Sequence, residues 1–445
     1  MTRRIHLNVN ILNSGVFGGS WRFPGTDPFT AFGLDHYVGI AKKAEAATLD
    51  AVFLADGPVL AEDVRYRTFN SLEPTVVLAA VAASTSHIGL IGTLSSSYND
   101  PYDVARRLAT LDRLSGGRSG FNVVTTAGAA AARNFGCADE PEHGERYRRA
   151  AEFVDVVRTL WNSWAEDALV GDRDTHRFVD TSKIRDAHYD GTYFQVEGAL
   201  NVPRSPQGEP VLVQAGASKD GRELAARVGE VIFTASQTIP EAREYYQDVK
   251  RRAAGLGRDP GQVVILPGLS TVVGSTEKEA QERRELLDEL VPPAYALGRL
   301  AGQLGVPADS LDLDGHLPWD LLKDPDEAGG SQTFYRIALG LAQRENLTVR
   351  ALLKRLGGGA GHRIVTGTPE QIADDIIEWV DAGVADGFNL MPDVLPSGFD
   401  DFADHVVPEL RRRGRFRTEY TGSTLRENLG LRVPPFARGG ARVAS

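Results

Sequence analysis

Eight short apolar runs recur along the 445-residue chain, each followed by a stretch with helical spacing. They are His6–Ile11, Ala51–Asp56, Ile88–Ser95, Phe121–Thr125, Val211–Gly216, Val231–Thr234, Val263–Val273 and Gly387–Pro392. Most lack strict polar–apolar alternation, the pattern of strands buried on both faces of a parallel sheet. The intervening helices are expected at Asp35–Leu49, Glu73–Ser86, Pro101–Leu114, Glu145–Trp164, Lys219–Val228, Pro240–Ala254, Thr368–Asp381 and Asp400–Arg412. Eight strand–helix units favour an α/β fold of the closed (β/α)8 TIM-barrel kind; an open doubly wound sheet is the alternative. Two stretches break the rhythm. Residues 167–210 are long and polar, with a hairpin-like Tyr189–Phe194, and residues 276–356 hold helical segments interrupted by Pro292-Pro293, Pro307 and Gly329-Gly330. Both are expected to be insertions in one domain spanning 1–445, and residues 413–445 a tail packed on its surface.

The net charge of -11 offers nothing to nucleic acid or an anionic membrane. Arg411-Arg412-Arg413 is expected to be a solvated helix end. Cys137 is the single cysteine, which excludes an intrachain disulfide and a cysteine-built metal site. No stretch approaches 18 apolar residues and no signal-peptide pattern opens the chain, so a cytoplasmic protein is expected.

In such barrels the chemistry sits at the C-terminal strand ends. Those ends read Asn10, Asp56, Thr93 with Ser95, Asn122 with Thr125, Gln214 with Ser218, and Thr234 with Ser236. The fourth is the most informative: Arg118 to Thr126 reads as a buried strand ending in polar residues, and about twenty residues on, His143 to Tyr147 opens a long helix. Two features suit a phosphate. Gly216-Ala217-Ser218-Lys219-Asp220-Gly221 joins a strand to a helix, where free N–H groups and the helix dipole favour an anion. An ordinary Ser218 N-cap has the same sequence. His143 and Tyr147 stand four apart on one helix face and both donate hydrogen bonds, although a surface histidine beside a core tyrosine has the same spacing.

Familiar catalytic signatures are missing. The chain has no phosphate-binding G-x-x-x-x-G-K-[ST], no dinucleotide G-x-G-x-x-G after a strand, no H-E-x-x-H and no G-x-S-x-G. Its nine histidines are scattered, so no metal site is expected. A barrel with a phosphate grip and no evident acid, base or nucleophile points to a bound cofactor that carries the reaction.

The motifs Phe53-Leu54-Ala55-Asp56-Gly57, Leu72-Glu73-Pro74, Gly92-Thr93-Leu94-Ser95 and Ala109 to Arg118 resemble those of the bacterial-luciferase-like flavin monooxygenases. Asn122-Val123-Val124-Thr125, Ala132 to Gly136, His143 to Tyr147, Val202 to Gly208, Gln214-Ala215-Gly216 and Phe416 to Tyr420 resemble the branch containing the nitrilotriacetate and dibenzothiophene-sulfone monooxygenases. The resemblance spans nearly the whole chain. It implies an FMNH2-dependent monooxygenase that takes reduced FMN from a separate NAD(P)H-dependent flavin reductase. It further implies that O2 oxygenates a small-molecule substrate, often with C–S or C–N cleavage, and that the protein is a homo-oligomer. By motif, Asp56 and Thr93 line the isoalloxazine region, Asn122 lies beside the ring, and His143, Tyr147 and Ser218 hold the ribityl-phosphate end. No residue is assigned as acid or base.

The loops from Gly15 to Thr30 and from Gly57 to Asn70 are expected to cover the mouth. The first carries Phe17, Trp21, Arg22 and Phe23; the second carries Arg65, Tyr66, Arg67 and Phe69. Aromatic rings suit a flat apolar substrate and arginines suit a carboxylate or sulfonate; an aromatic or organosulfur compound is favoured. The rival readings are a deazaflavin-dependent oxidoreductase and a non-catalytic flavin-binding protein.

Overall fold

A computed structural model describes residues 4–60, 62–69, 72–324, 332–357 and 361–436. The loop end Asn70, the breaker Gly329-Gly330, positions 1–3 and the tail beyond residue 436 lie outside the described residues.

Eight parallel strands form a closed barrel: β1 His6–Asn10, β2 Ala51–Leu54, β3 Gly89–Ser95, β4 Ser119–Val124, β5 Val211–Gln214, β6 Val231–Thr234, β7 Val264–Val273 and β8 Gly387–Leu390. Neighbours in sequence are neighbours in the sheet, and β8 closes the ring on β1 through His6 opposite Gly387. The open sheet is therefore not the fold. The helices between staves are α1 Leu34–Ala46, α2 Pro74–Ala82, α3 Pro101–Leu114, α4 His143–Trp161, α5 Lys219–Val228, α6 Ile239–Gly255 and α7 Pro369–Asp381; a helical run over 397–412 follows β8. Capping fixes several starts. Asp100 accepts from the Tyr102 and Asp103 N–H groups at α3, and Thr368 forms a capping box with Gln371 at α7.

Strand alternation sorts the side chains. Ala51, Phe53, Ile91, Val211, Val213, Val231, Val264 and Leu266 meet inside the barrel. Their neighbours face the helices: Leu7, Val9, Phe388 and Leu390 join one outer core, and Phe121 and Val123 join another with α3 and α4.

Residues 167–210 form two small hairpins, Leu169–Asp172 with Arg177–Val179 and Tyr189–Asp190 with Gln195–Val196. Residues 276–356 include helices Glu277–Glu289, Pro293–Leu304, Gln332–Arg344 and Val349–Leu356, with a core of their own. The strand Arg363–Gly367 was not expected; it extends β7 above the rim, pairing Leu269 to Val273 with Arg363 to Gly367. Its five residues, Arg363-Ile364-Val365-Thr366-Gly367, begin with a charged residue that hides the apolar run.

The described part of the tail, up to residue 436, is not confined to the surface. Leu425, Leu429 and Leu431 plug the N-terminal end of the barrel. A Cβ on Gly89 would lie 2.5 Å from Leu425 Cδ1, so the glycine makes room for the plug. Two arginines anchor it: Arg417 Nη1 lies 2.8 Å from Asp50 Oδ1, and Arg426 Nη2 lies 3.0 Å from Glu230 Oε2. Burial alone would push the Asp50 carboxyl up, but Arg417, His6 and the Leu7 N–H outweigh it and hold it below the ordinary carboxylate value. Nor is Arg411-Arg412-Arg413 wholly solvated, since Arg411 donates to the Ala47 and Arg417 carbonyls while Arg412 and Arg413 pair with Glu409.

Replacing Leu425 by alanine is expected to cost about 2–5 kcal/mol of stability, the usual range for a fully buried leucine. Denaturant titration checks it; a change under about 0.5 kcal/mol would show that the plug contributes nothing.

Candidate functional site

At the C-terminal mouth the alternation that fills the barrel with aliphatic residues switches to amides. Asn8, Asn10, Asn122 and Asn389 lie between outward-facing neighbours, so their own side chains face the lumen. All four are buried, and Asn8 Oδ1, Asn10 Oδ1, Asn122 Oδ1 and both amide atoms of Asn389 lack a hydrogen-bond partner among the described residues. A buried polar atom without a partner costs about 1–3 kcal/mol, so these free amide atoms suit a polar ligand. Asn122 Nδ2 donates to Thr93 Oγ1 over 2.9 Å, which leaves Oδ1 as the free atom. Thr93 and Asn122 are direct partners in the β3–β4 register. The structure thus brings this predicted pair together. Asp56 follows β2 at the rim and is half-buried. Burial raises its carboxyl pKa and the Glu73 charge adds to this, against the Gly57 N–H.

The second cluster lies where α4 and α5 begin. His143 Nδ1 is 3.0 Å from Asp220 Oδ2, tying the first residue of α4 to the first turn of α5. The His143 and Tyr147 rings lie 4.8 Å apart on the same helix face. Ser218 caps α5, its Oγ accepting from the Gly221 N–H over 3.1 Å, which leaves the hydroxyl proton to donate. His143 and Asp220 thus place the Ser218 cap beside the start of α4.

Asp220 and Tyr245 were not picked out from the sequence. Tyr245 donates to the Gly216 carbonyl over 2.8 Å and holds the β5–α5 turn in place. Gly216 is needed there because an added Cβ would lie 2.7 Å from Gln214 Nε2 and 2.9 Å from Gly221 Cα. Neither residue carries a local signal: Asp220 reads as a first-turn acid, and Tyr245 as one apolar position of a helix.

Trp21 Nε1 donates to the Tyr66 carbonyl over 2.9 Å, joining the two covering loops. The Tyr66 ring packs 5.8 Å from Tyr295 of the helical insertion, which thereby joins the cover. Three other loop residues have partners of their own. Phe17 is buried under Arg284, Phe23 lies under Arg283, and Arg22 donates to the Leu290 carbonyl. Among the described residues no group of three His, Cys, Asp or Glu side chains comes together as a metal site, and no helix is long and apolar enough to cross a membrane.

These residues fit FMN. The free amides suit the polar edge of an isoalloxazine ring, and a capped helix N-terminus beside a tyrosine and a histidine suits a phosphate. Residues 16–386 match the family model described as luciferase-like monooxygenase. The chain is 46% identical over 445 residues to nitrilotriacetate monooxygenase component A of Aminobacter aminovorans, covering 97% of both chains. It is 41% identical over 429 residues to the dibenzothiophene-sulfone monooxygenase of Rhodococcus erythropolis, covering 94% of both. Its fold superposes with a TM-score of 0.84 on a riboflavin lyase crystallised with modified FMN and riboflavin, at 33% identity over 97% of this chain and 96% of that one.

Ser218→Ala and Tyr147→Phe are each expected to weaken reduced-FMN binding about tenfold, close to 1.4 kcal/mol. Anaerobic fluorescence titration checks this, and unchanged affinity in both variants would remove the proposed phosphate grip.

Proposed function

The chain belongs to the luciferase-like monooxygenase family, and from that premise we propose a two-component reaction on an uncharged aromatic or organosulfur substrate at the barrel mouth. The protein is a monooxygenase that works with reduced FMN, supplied by a flavin reductase. We take the reductase to be NAD(P)H-dependent and the whole chain to be one barrel domain that assembles as a homo-oligomer.

Bound reduced FMN supplies the two electrons, so that one atom of O2 enters the substrate and the other leaves as water. Ser218, Tyr147 and His143 would hold the phosphate end. Thr93 orients Asn122, whose free Oδ1 would accept from the isoalloxazine edge. Asp56, with its carboxyl raised by burial, is placed to hold a proton at the rim. The Trp21–Tyr66 link closes the two loops over the mouth and keeps water from the reacting atoms.

The uncharged substrate class rests on one observation: the lumen-facing positions of the eight staves carry no lysine or arginine. Arg22, which the sequence offered as a carboxylate partner, is spent on the Leu290 carbonyl. The relatives named for their substrates span a tricarboxylate and a neutral sulfone, and the lining here suits the second kind.

In an oxygen-electrode assay with NADH, FMN and a flavin reductase, dibenzothiophene sulfone is expected to be turned over with kcat/KM at least tenfold above that for nitrilotriacetate. The reverse order would retire the uncharged-substrate reading. Oxygen uptake that yields only hydrogen peroxide with both compounds would retire both substrates.

A further inference from the structure

His362 stands immediately before the strand Arg363–Gly367 and was not picked out from the sequence. Its ring stacks on Phe233, with centroids 5.1 Å apart and planes 14° apart, and Phe233 in turn packs 5.7 Å from Phe53 inside the barrel. A Cβ on Gly268 would lie 2.2 Å from His362 Nδ1. Gly268 precedes the outward-facing Leu269 and follows the inward-facing Leu266 by two residues, so it faces the lumen. His362 therefore lies over the mouth between β6 and β7. In the closed ring this is across from β2 and β3, away from the side that carries Thr93 and Asp56.

The position is firmly built. Arg363 turns outward, bonding Asp375 at 2.5 Å and 2.6 Å and stacking 4.0 Å from Trp379. Gln237 Nε2 donates to the Gly361 carbonyl over 2.8 Å. These contacts fix the backbone on both sides of His362. Nδ1 is buried over Gly268 without a partner, and the residue stays partly exposed, as does Phe233. Desolvation pushes the imidazole pKa down to about 4, so the ring is neutral at physiological pH.

We infer that His362 is a substrate-binding residue, which holds a flat, uncharged molecule by hydrogen bonding to its polar oxygen while Phe233 and Phe53 contact its apolar body. This rests on the flavin site described above and assigns the wall between β6 and β7 to the substrate, beside Asn389, which pairs with Gly268 in the register. A neutral imidazole donates an N–H to a sulfone or carbonyl oxygen and adds no positive charge to favour a carboxylate.

The probe is dibenzothiophene sulfone, titrated into the full chain with reduced FMN bound, under anaerobic conditions. His362→Phe keeps the stack and removes both nitrogens; His362→Gln restores an N–H at similar reach. We expect His362→Phe to weaken sulfone binding at least tenfold and His362→Gln to stay within threefold of wild type. Reduced-FMN affinity should stay within twofold in both, which also shows that both variants fold. Equal sulfone affinity in wild type and His362→Phe would overturn the inference. So would a wild-type protein that binds reduced FMN but not the sulfone. A wild-type protein that fails to bind reduced FMN would instead overturn the flavin site itself.

Discussion

Closure of the sheet is the constraint on which the rest depends. A closed barrel has no free edge, so its lumen must be filled, and each inward side chain is committed by strand alternation. The tail fills the lower end with Leu425, Leu429 and Leu431, and Phe53, Ile91, Val213 and Leu266 fill the middle. Only the upper layer is released from packing. There the chain puts asparagines, whose unpaired atoms are costly in the free protein and available to a ligand. Binding energy is thus prepared in the fold, as amides already oriented and already stripped of water.

The cofactor's two ends fall to different physics. In the proposed site the ring end would be read by side chains pointing inward from β-strands, where Thr93 pins Asn122. The phosphate end would be read by helix starts, where Ser218 caps α5. The His143–Asp220 contact joins α4 to α5, and Tyr245 pins the turn between β5 and α5. An acid so close to a phosphate grip is tolerable because it holds the histidine in place and carries its own partner.

The eight staves were legible because two-sided burial leaves continuous apolar runs. Leu90-Ile91 and Val211-Leu212-Val213 have no other economical reading. The contact between Thr93 and Asn122 and the Ser218 cap were legible as candidates because a site at strand ends restricts the choice to a few positions. His362 was not, since the stave it overhangs lies about 100 residues earlier in the chain and its own strand begins with a charge. The tail was misread for a related reason. Leu425, Leu429 and Leu431 have spacing too short to mark a buried element, and their burial comes from the open end of a barrel that the rest of the chain builds. Arg22 and Phe23 were credited to the mouth by composition, although their partners Leu290 and Arg283 belong to the insertion.

A crystal of the full chain soaked anaerobically with reduced FMN tests the central claim most directly, because it locates both ends of the cofactor at once. The account predicts the phosphate within hydrogen-bonding distance of Ser218 Oγ and the Tyr147 hydroxyl, with the isoalloxazine edge on Asn122 Oδ1. Flavin density anywhere else, or reversed so that the phosphate meets the asparagines, would contradict it.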